Sequence, residues 1–164
     1  MLFRSQAYSS TFLDTVKAAP VIEGETVYAV GNANVLTAID LRSGTRKWEK
    51  EIGSVNTPLL VGNTLYVVSN TNDLLAVNKD NGDVLWATPV NFGKKPADVM
   101  IFNPVMLDGR LILALSNGTV YAYMPQTGKL LNSVDLEENL NSAPIAAGGY
   151  IFFVTADADL IAYK

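Results

Sequence analysis

Ala38-Ile39-Asp40-Leu41-Arg42-Ser43-Gly44-Thr45-Arg46-Lys47-Trp48 is the stretch on which the reading of the fold turns. A strand-like run ends in an acid, a glycine stands four residues beyond it, and a tryptophan four beyond that. Ala76, Asn78, Gly82 and Trp86 keep the same offsets 38 residues later. A further 46 residues on, Ala122 and Gly128 remain, with Met124 and Asn132 in place of the acid and the indole. Pro20, Pro58, Pro104 and Pro144 step by 38, 46 and 40, and Ala38, Ala76, Ala122 and Ala162 take the same three steps. Residue types with different backbone roles therefore share one ruler. A period near 40 residues, filled with short alternating strands, marks propeller blades, each too thin to bury its own faces alone.

The first full unit, 19–56, shows how. Predicted strands occupy 19–22, 26–30, 35–40 and 45–49, separated by turns at Glu23-Gly24-Glu25, Gly31-Asn32-Ala33-Asn34 and Arg42-Ser43-Gly44. Pro20 lies near the start of the first strand, where a missing N–H matters least. Val27 to Val30 reads as a strand covered on both sides, while 45–49 alternates polar and large as an outer strand with one wet face does. The same pattern recurs over 57–102 and 103–142, and the last unit, 143–164, stops after its third strand. The fold expected is all-β, a propeller of four-stranded antiparallel blades with about four blades present, half of an eight-bladed ring. Residues 1–18 form an atypical N-terminus or linker, in which 1–5 lack the apolar core of a secretion signal and suggest truncation. Tyr8 to Asp14 lie where the outer strand of a preceding blade would sit.

Composition narrows function by exclusion. The chain has 164 residues, 49% hydrophobic and 17% charged, which suits a packed domain and not a disordered one. It has no Cys and no His, so thiol nucleophiles, Cys/His metal cages, Ser-His pairs, disulfides and a lipid-attachment cysteine are absent from this stretch. A net charge of −4, with Lys94-Lys95 the longest basic cluster, argues against a nucleic-acid face. No apolar run approaches the ~18 residues of a membrane-spanning helix. Asp135, Glu137 and Glu138 read as a solvated turn in preference to a cation site. Tyr121 and Tyr123, like Tyr28, Tyr66 and Phe152, read as packing. Ser69-Asn70 and Ser116-Asn117-Gly118 are turn chemistry, because a nucleophile elbow needs a strand-to-helix turn. No catalytic, cofactor-binding or metal-ligating residue is expected.

The A-x-D-x-x-x-G-x-x-x-W pattern at Ala38, Asp40, Gly44 and Trp48 resembles the tryptophan-docking motif of the quinoprotein (PQQ-like) propeller family. Ala76, Asn78, Gly82 and Trp86 match its second copy, with Asn for Asp. A small alanine lets a ring lie close, glycine makes the turn, and the acid accepts hydrogen bonds from turn N–H groups. In that family the outer-strand Trp packs on its neighbour's backbone; the third copy departs from the pattern with Met124 and Asn132 in place of the acid and the indole. The segments 55–77 (VNTPLLVGNTLYVVSNTNDLLAV), 116–131 (SNGTVYAYMPQTGKLL) and 142–164 (SAPIAAGGYIFFVTADADLIAYK), with the long connection after Trp86, resemble the C-terminal half of its outer-membrane assembly lipoproteins.

This resemblance implies a non-catalytic periplasmic scaffold at the outer membrane, part of the β-barrel assembly machinery, which assists insertion of outer-membrane proteins. It implies a BamA-like barrel-assembly pore protein, through its periplasmic domains, as partner. It implies no cofactor, and membrane contact only through a lipid anchor outside this chain. The eight extra residues of the 46-residue step fall within 91–100, and Phe92, Lys94, Lys95, Met100 and Phe102 form the candidate partner loop, with Asn139-Leu140-Asn141 beside it. A quinone-dependent dehydrogenase fragment, or another ligand- or peptide-binding propeller, are the alternatives. The former needs calcium, acidic and amide ligands and a carboxylate base, whereas the carboxylates here fall mainly in predicted turns. A half-ring would expose flat faces and strand edges, so self-association is also expected.

Overall fold

The computed structural model describes residues 17–92 and 99–164. Among them the regular structure is strand throughout. The first meander is β1 (Val21–Glu23), β2 (Thr26–Gly31), β3 (Val35–Asp40) and β4 (Arg46–Lys50). The second is β5 (Leu59–Val61), β6 (Thr64–Val68), β7 (Asp73–Asn78) and β8 (Val84–Pro89). β9 (Val105–Leu107), β10 (Arg110–Ala114), β11 (Thr119–Tyr123) and β12 (Leu130–Asp135) make the third. β13 (Ile145–Ala147), β14 (Tyr150–Val154) and β15 (Leu160–Tyr163) make a three-stranded fourth. Each sheet runs in sequence order, so every connection is to an adjacent antiparallel strand. The chain divides into two compact units, Met1–Leu85 and Trp86–Lys164.

These boundaries follow the four-unit sequence pattern, with one adjustment. Pro20, Pro58, Pro104 and Pro144 each stand immediately before an innermost strand and not within it. Lacking an N–H, proline cannot give the first ladder bond, and pairing starts at the next residue. β3 and β4 shift register between Ala38 and Ile39, and β11 and β12 shift between Ala122 and Tyr123. This repeated irregularity re-aims the outer strand just after the motif alanine.

Strand alternation supplies the core. In the first unit, Tyr28, Val30, Leu36 and Ala38 from β2 and β3 pack with Leu65, Val67, Leu75 and Val77 from β6 and β7. The opposite side of β6 and β7, with Tyr66, Val68, Leu74 and Ala76, is buried as well. That is why both strands read as near-continuous apolar runs and not as alternation. Thr37, buried on β3, satisfies its hydroxyl by donating to the Trp48 carbonyl at 2.9 Å. In the second unit, Ile112, Ala114, Leu140, Ile151 and Phe153 form the buried cluster, with Val105 and Leu136 against it. Within this unit β13 lies against β9, so the innermost strands of the third and fourth sheets are neighbours. Leu65 is fully buried between two sheets. Leu65→Ala is expected to lower the unfolding free energy by about 2–5 kcal/mol, measured by urea titration. Val61→Ala, at a position 38% exposed, should cost well under half of that.

Candidate functional site

The repeated motif builds a turn and then a joint. Asp40 Oδ1 accepts from the Arg42 N–H at 3.1 Å, the Ser43 N–H at 2.8 Å and the Ser43 hydroxyl at 2.9 Å. The Gly44 N–H closes the turn on the Asp40 carbonyl at 2.9 Å. The second copy keeps the form: Asn78 Oδ1 accepts from the Asp80 N–H at 2.8 Å, and the Gly82 N–H donates to the Asn78 carbonyl at 2.8 Å. In the third copy Met124 has no side-chain acceptor of this kind. The Gly128 N–H still reaches the Met124 carbonyl at 2.9 Å, and the Lys129 carbonyl accepts from the Met124 N–H at 2.8 Å. The backbone pattern and the glycine thus make the turn, and the acid only reinforces it. The N–H and hydroxyl of Ser43 hold the Asp40 carboxyl below its ordinary value of 3.8.

The turn of one repeat receives the indole of the repeat before it. Trp48 Nε1–H donates to the Lys79 carbonyl at 2.8 Å, and a Cβ added to Gly82 would lie 2.7 Å from Trp48 Cε3. Trp86 Nε1–H donates to the Pro125 carbonyl at 2.9 Å, and a Cβ on Gly128 would lie 2.5 Å from Trp86 Cε3. The Thr88 hydroxyl adds a bond to the Gly128 carbonyl at 2.9 Å. Around Trp48 the joint is tied further by Lys50 to Asp83 at 2.9 Å and by an ion pair between Lys79 and Glu23. At its other end Asn70 Nδ2 donates to the Asn32 carbonyl at 3.1 Å and to Asn32 Oδ1 at 2.9 Å.

Ala38 is fully buried directly across from Trp48 in the register of its own sheet. The glycine of the following repeat makes a further close approach to the ring. The sequence pattern assigns Gly82 and Gly128 to turn-making alone. Their positive φ, 76° and 69°, accounts for that role, while the ring on top adds a second reason for hydrogen as the side chain. The hint was present in the shared ruler, since each Trp is followed by the next repeat's glycine.

The candidate partner loop is only partly described: Lys94 and Lys95 lie outside the described residues. Phe92 is half-buried, Met100 is 62% exposed, and Phe102 packs against the cluster of the second unit. The segment beyond is pinned to β10 and its turn: Met100 N–H donates to Ser116 Oγ at 3.0 Å, Ser116 N–H to the Met100 carbonyl at 2.9 Å, and Phe102 N–H to the Ala114 carbonyl at 3.0 Å. The Tyr121 hydroxyl holds the other flank by donating to the Asn91 carbonyl at 2.7 Å. Leu140 is buried, so in the Asn139-Leu140-Asn141 connection the apolar residue faces the core. Burial pushes the Tyr123 phenol up to about 12, with the neighbouring Tyr121 adding to it, and raises Tyr121. Both are packed, neutral phenols.

Among the described residues, no three Asp, Glu, His or Cys side chains converge as a metal site would require. Asp135 instead closes a turn, accepting the Glu137 N–H at 3.0 Å. No buried side-chain N or O among the described residues lacks a hydrogen bond.

Sheets of one meander form, joined by an indole seated on the next sheet's glycine turn, define a β-propeller, here about four blades. The solved BamB of Moraxella catarrhalis superposes with a TM-score of 0.76 at 18% identity, covering 91% of this chain and 44% of that one. A quinohemoprotein alcohol dehydrogenase from Comamonas testosteroni gives a TM-score of 0.59 at 22% identity over 73% of this chain and 21% of the other. At such identities both show the fold alone. A family model described as outer membrane protein assembly factor BamB matches residues 3–88 and 92–164. The chain belongs to the BamB family. Its Escherichia coli relative is 29% identical over 157 residues, which is 93% of this chain and 39% of that protein. The chain therefore spans about two fifths of the curated relative's length.

Two measurements test the joint. Gly62 has a φ of 57° with nothing near a would-be Cβ, so Gly62→Ala should cost about 1–2 kcal/mol, from left-handed backbone alone. Gly82→Ala should cost about 1–3 kcal/mol more, because its methyl overpacks the Trp48 ring; urea midpoints of the two variants decide. The Asp40 carboxyl is depressed in the folded state. Its contribution is therefore present above the ordinary value near 3.8 and lost as pH falls through the lower folded value. A carboxyl-carbon NMR titration should place Asp40 below 3.8, and Asp40→Asn should remove this part of the acid sensitivity while keeping the turn, as Asn78 does.

Proposed function

We propose that this chain is part of a non-catalytic periplasmic scaffold of the outer-membrane β-barrel assembly machinery, assisting insertion of outer-membrane proteins. The observation that carries this reading is the joint itself. Trp48 and Trp86 spend their polar handles on backbone carbonyls of the next repeat, and Asp40, Asn78 and Asp135 spend theirs on turns. Such residues make a rigid platform, and none is left poised to act on a substrate. Membership of the BamB family supports the same direction. We take 19–56, 57–102, 103–142 and 143–164 as its blades, with 1–18 a linker. The partner inferred is the set of periplasmic domains of a BamA-like pore protein, contacted through the Phe92–Phe102 connection, where Met100 offers an exposed apolar side chain. A lipid anchor outside this stretch would tether the whole.

A quinone-dependent dehydrogenase is the second reading, favoured only by the fold likeness to the alcohol dehydrogenase. Purified periplasmic domains of the pore protein should be retained by immobilised chain. Met100→Asp should weaken retention about tenfold, about 1.4 kcal/mol, with an unchanged melting curve. Absence of retention by the parent chain, or redox-active quinone binding in the presence of calcium, would overturn the proposal.

A further inference from the structure

Within the first unit a cleft of about 240 Å³ opens between the β2–β3 turn, the connection after β4 and the β6–β7 turn. Asn34, Glu51, Asn70 and Asp73 supply its polar lining, and Ile52 and Leu75 its apolar part. Gly53 is buried there and admits no Cβ, because the Asn34 and Asn70 carboxamides occupy the place a methyl would need. In the third repeat Gly118 stands where Asn34 stands in the first, and the connection is longer: twelve residues from Asn132 to Pro144, against ten from Trp48 to Pro58. The Glu138 carbonyl of that longer connection comes against Gly118 itself. The shorter connection of the first repeat leaves that place to an amide side chain.

The donors of this lining are spent on its own turns. Thr71 donates its hydroxyl to Asp73 Oδ2 at 2.7 Å, so the proton shared between Ser69 Oγ and Thr71 Oγ1 at 2.8 Å comes from Ser69. The Asn70 amide nitrogen donates to the Asn32 carbonyl and to Asn32 Oδ1. Backbone N–H groups are used as well, Ile52 on the Lys50 carbonyl and Asn70 on the Gly53 carbonyl, each at 2.9 Å. What is left over is chiefly acceptor: the Glu51 carboxylate, Asp73 Oδ1 and Asn70 Oδ1. Neither carboxylate has an ion-pair partner among the described residues, and no lysine or arginine among them lines the cleft.

We propose that this cleft receives one arginine side chain projecting from a polypeptide partner. Charge decides the sign of the occupant, since two carboxylates line the cleft without a counter-charge. Donor count decides its kind: a guanidinium carries five N–H groups in a fixed fork, and acceptors spread over two turns and a connection suit a fork better than a point charge. Ile52 and Leu75 give the methylene stem an apolar surface. The volume is below the ~300–1,000 Å³ of drug-sized ligand sites and matches a single side chain. Asn34, Glu51, Asn70 and Thr71 are exposed, so a side chain on a folded surface enters without any opening of the sheets. The inference rests on the first unit alone and does not depend on the partner or the connection proposed above.

A blocked glycine–arginine–glycine peptide is the probe, and the same peptide with citrulline, the neutral isostere of arginine, is the control. Titrated into the isotopically labelled full chain, the arginine peptide should shift the methyl resonances of Ile52 and Leu75 saturably. The citrulline peptide should bind about tenfold more weakly, and added sodium chloride should narrow that difference. Glu51→Gln should weaken the arginine peptide about threefold with an unchanged melting curve, because Glu51 is exposed and its charge partly screened. Asp73→Asn, which keeps an acceptor for the Thr71 hydroxyl, should do the same, and the double variant should lose about tenfold. Absence of methyl shifts up to the solubility limit, an equal response to citrulline, tighter binding of the lysine peptide, the same shifts from calcium chloride alone, or undiminished binding in Glu51→Gln would each overturn the proposal.

Discussion

An indole ring pressed onto a glycine turn of the next repeat is the contact on which the rest of the architecture depends. A four-stranded meander of about 40 residues has two faces and too little thickness to bury either alone. Its inner strands solve this by apolar packing, as Leu65 and Val67 do against Val30 and Leu36. The outer strand cannot, because its residues are mostly wet: β4 reads Arg46-Lys47-Trp48-Glu49-Lys50. One large ring there carries the burden, and it needs a landing surface without a side chain. Gly82 and Gly128 provide that surface, and the backbone carbonyl three residues earlier satisfies the indole N–H. Because the acceptor is backbone, a lysine or a proline serves equally well at that position.

The same division of labour extends to polar side chains: Asp40, Asn78 and Asp135 are drawn into turns, and Glu23 and Asp83 into ion pairs between sheets. Variation is admitted where it does not disturb a joint. The eight extra residues after the second sheet lengthen a connection whose flanks are pinned by Tyr121 and Ser116.

The meander pattern was legible before any coordinates, and for a physical reason. Proline, alanine and glycine mark positions where the backbone tolerates few alternatives, so equal spacing among them reports equal geometry. Strands covered on both sides, such as β6 and β7, announce themselves as continuous apolar runs. Asp40 could be placed in its turn from spacing alone, since side-chain capping of a turn is a local act. Phe102 was harder. It reads as part of a variable connection, but packs on the cluster built by Ile112 and Phe153, a contact between residues far apart in the chain.

Local order, then, was already written in the residues: where strands begin, where they turn, and which two tryptophans matter. Only the folded chain decides what each tryptophan rests on, because the ring and its glycine belong to different repeats and meet through packing. Periodicity reports what neighbours along the chain must do, and burial between sheets is settled by surfaces that no local window contains.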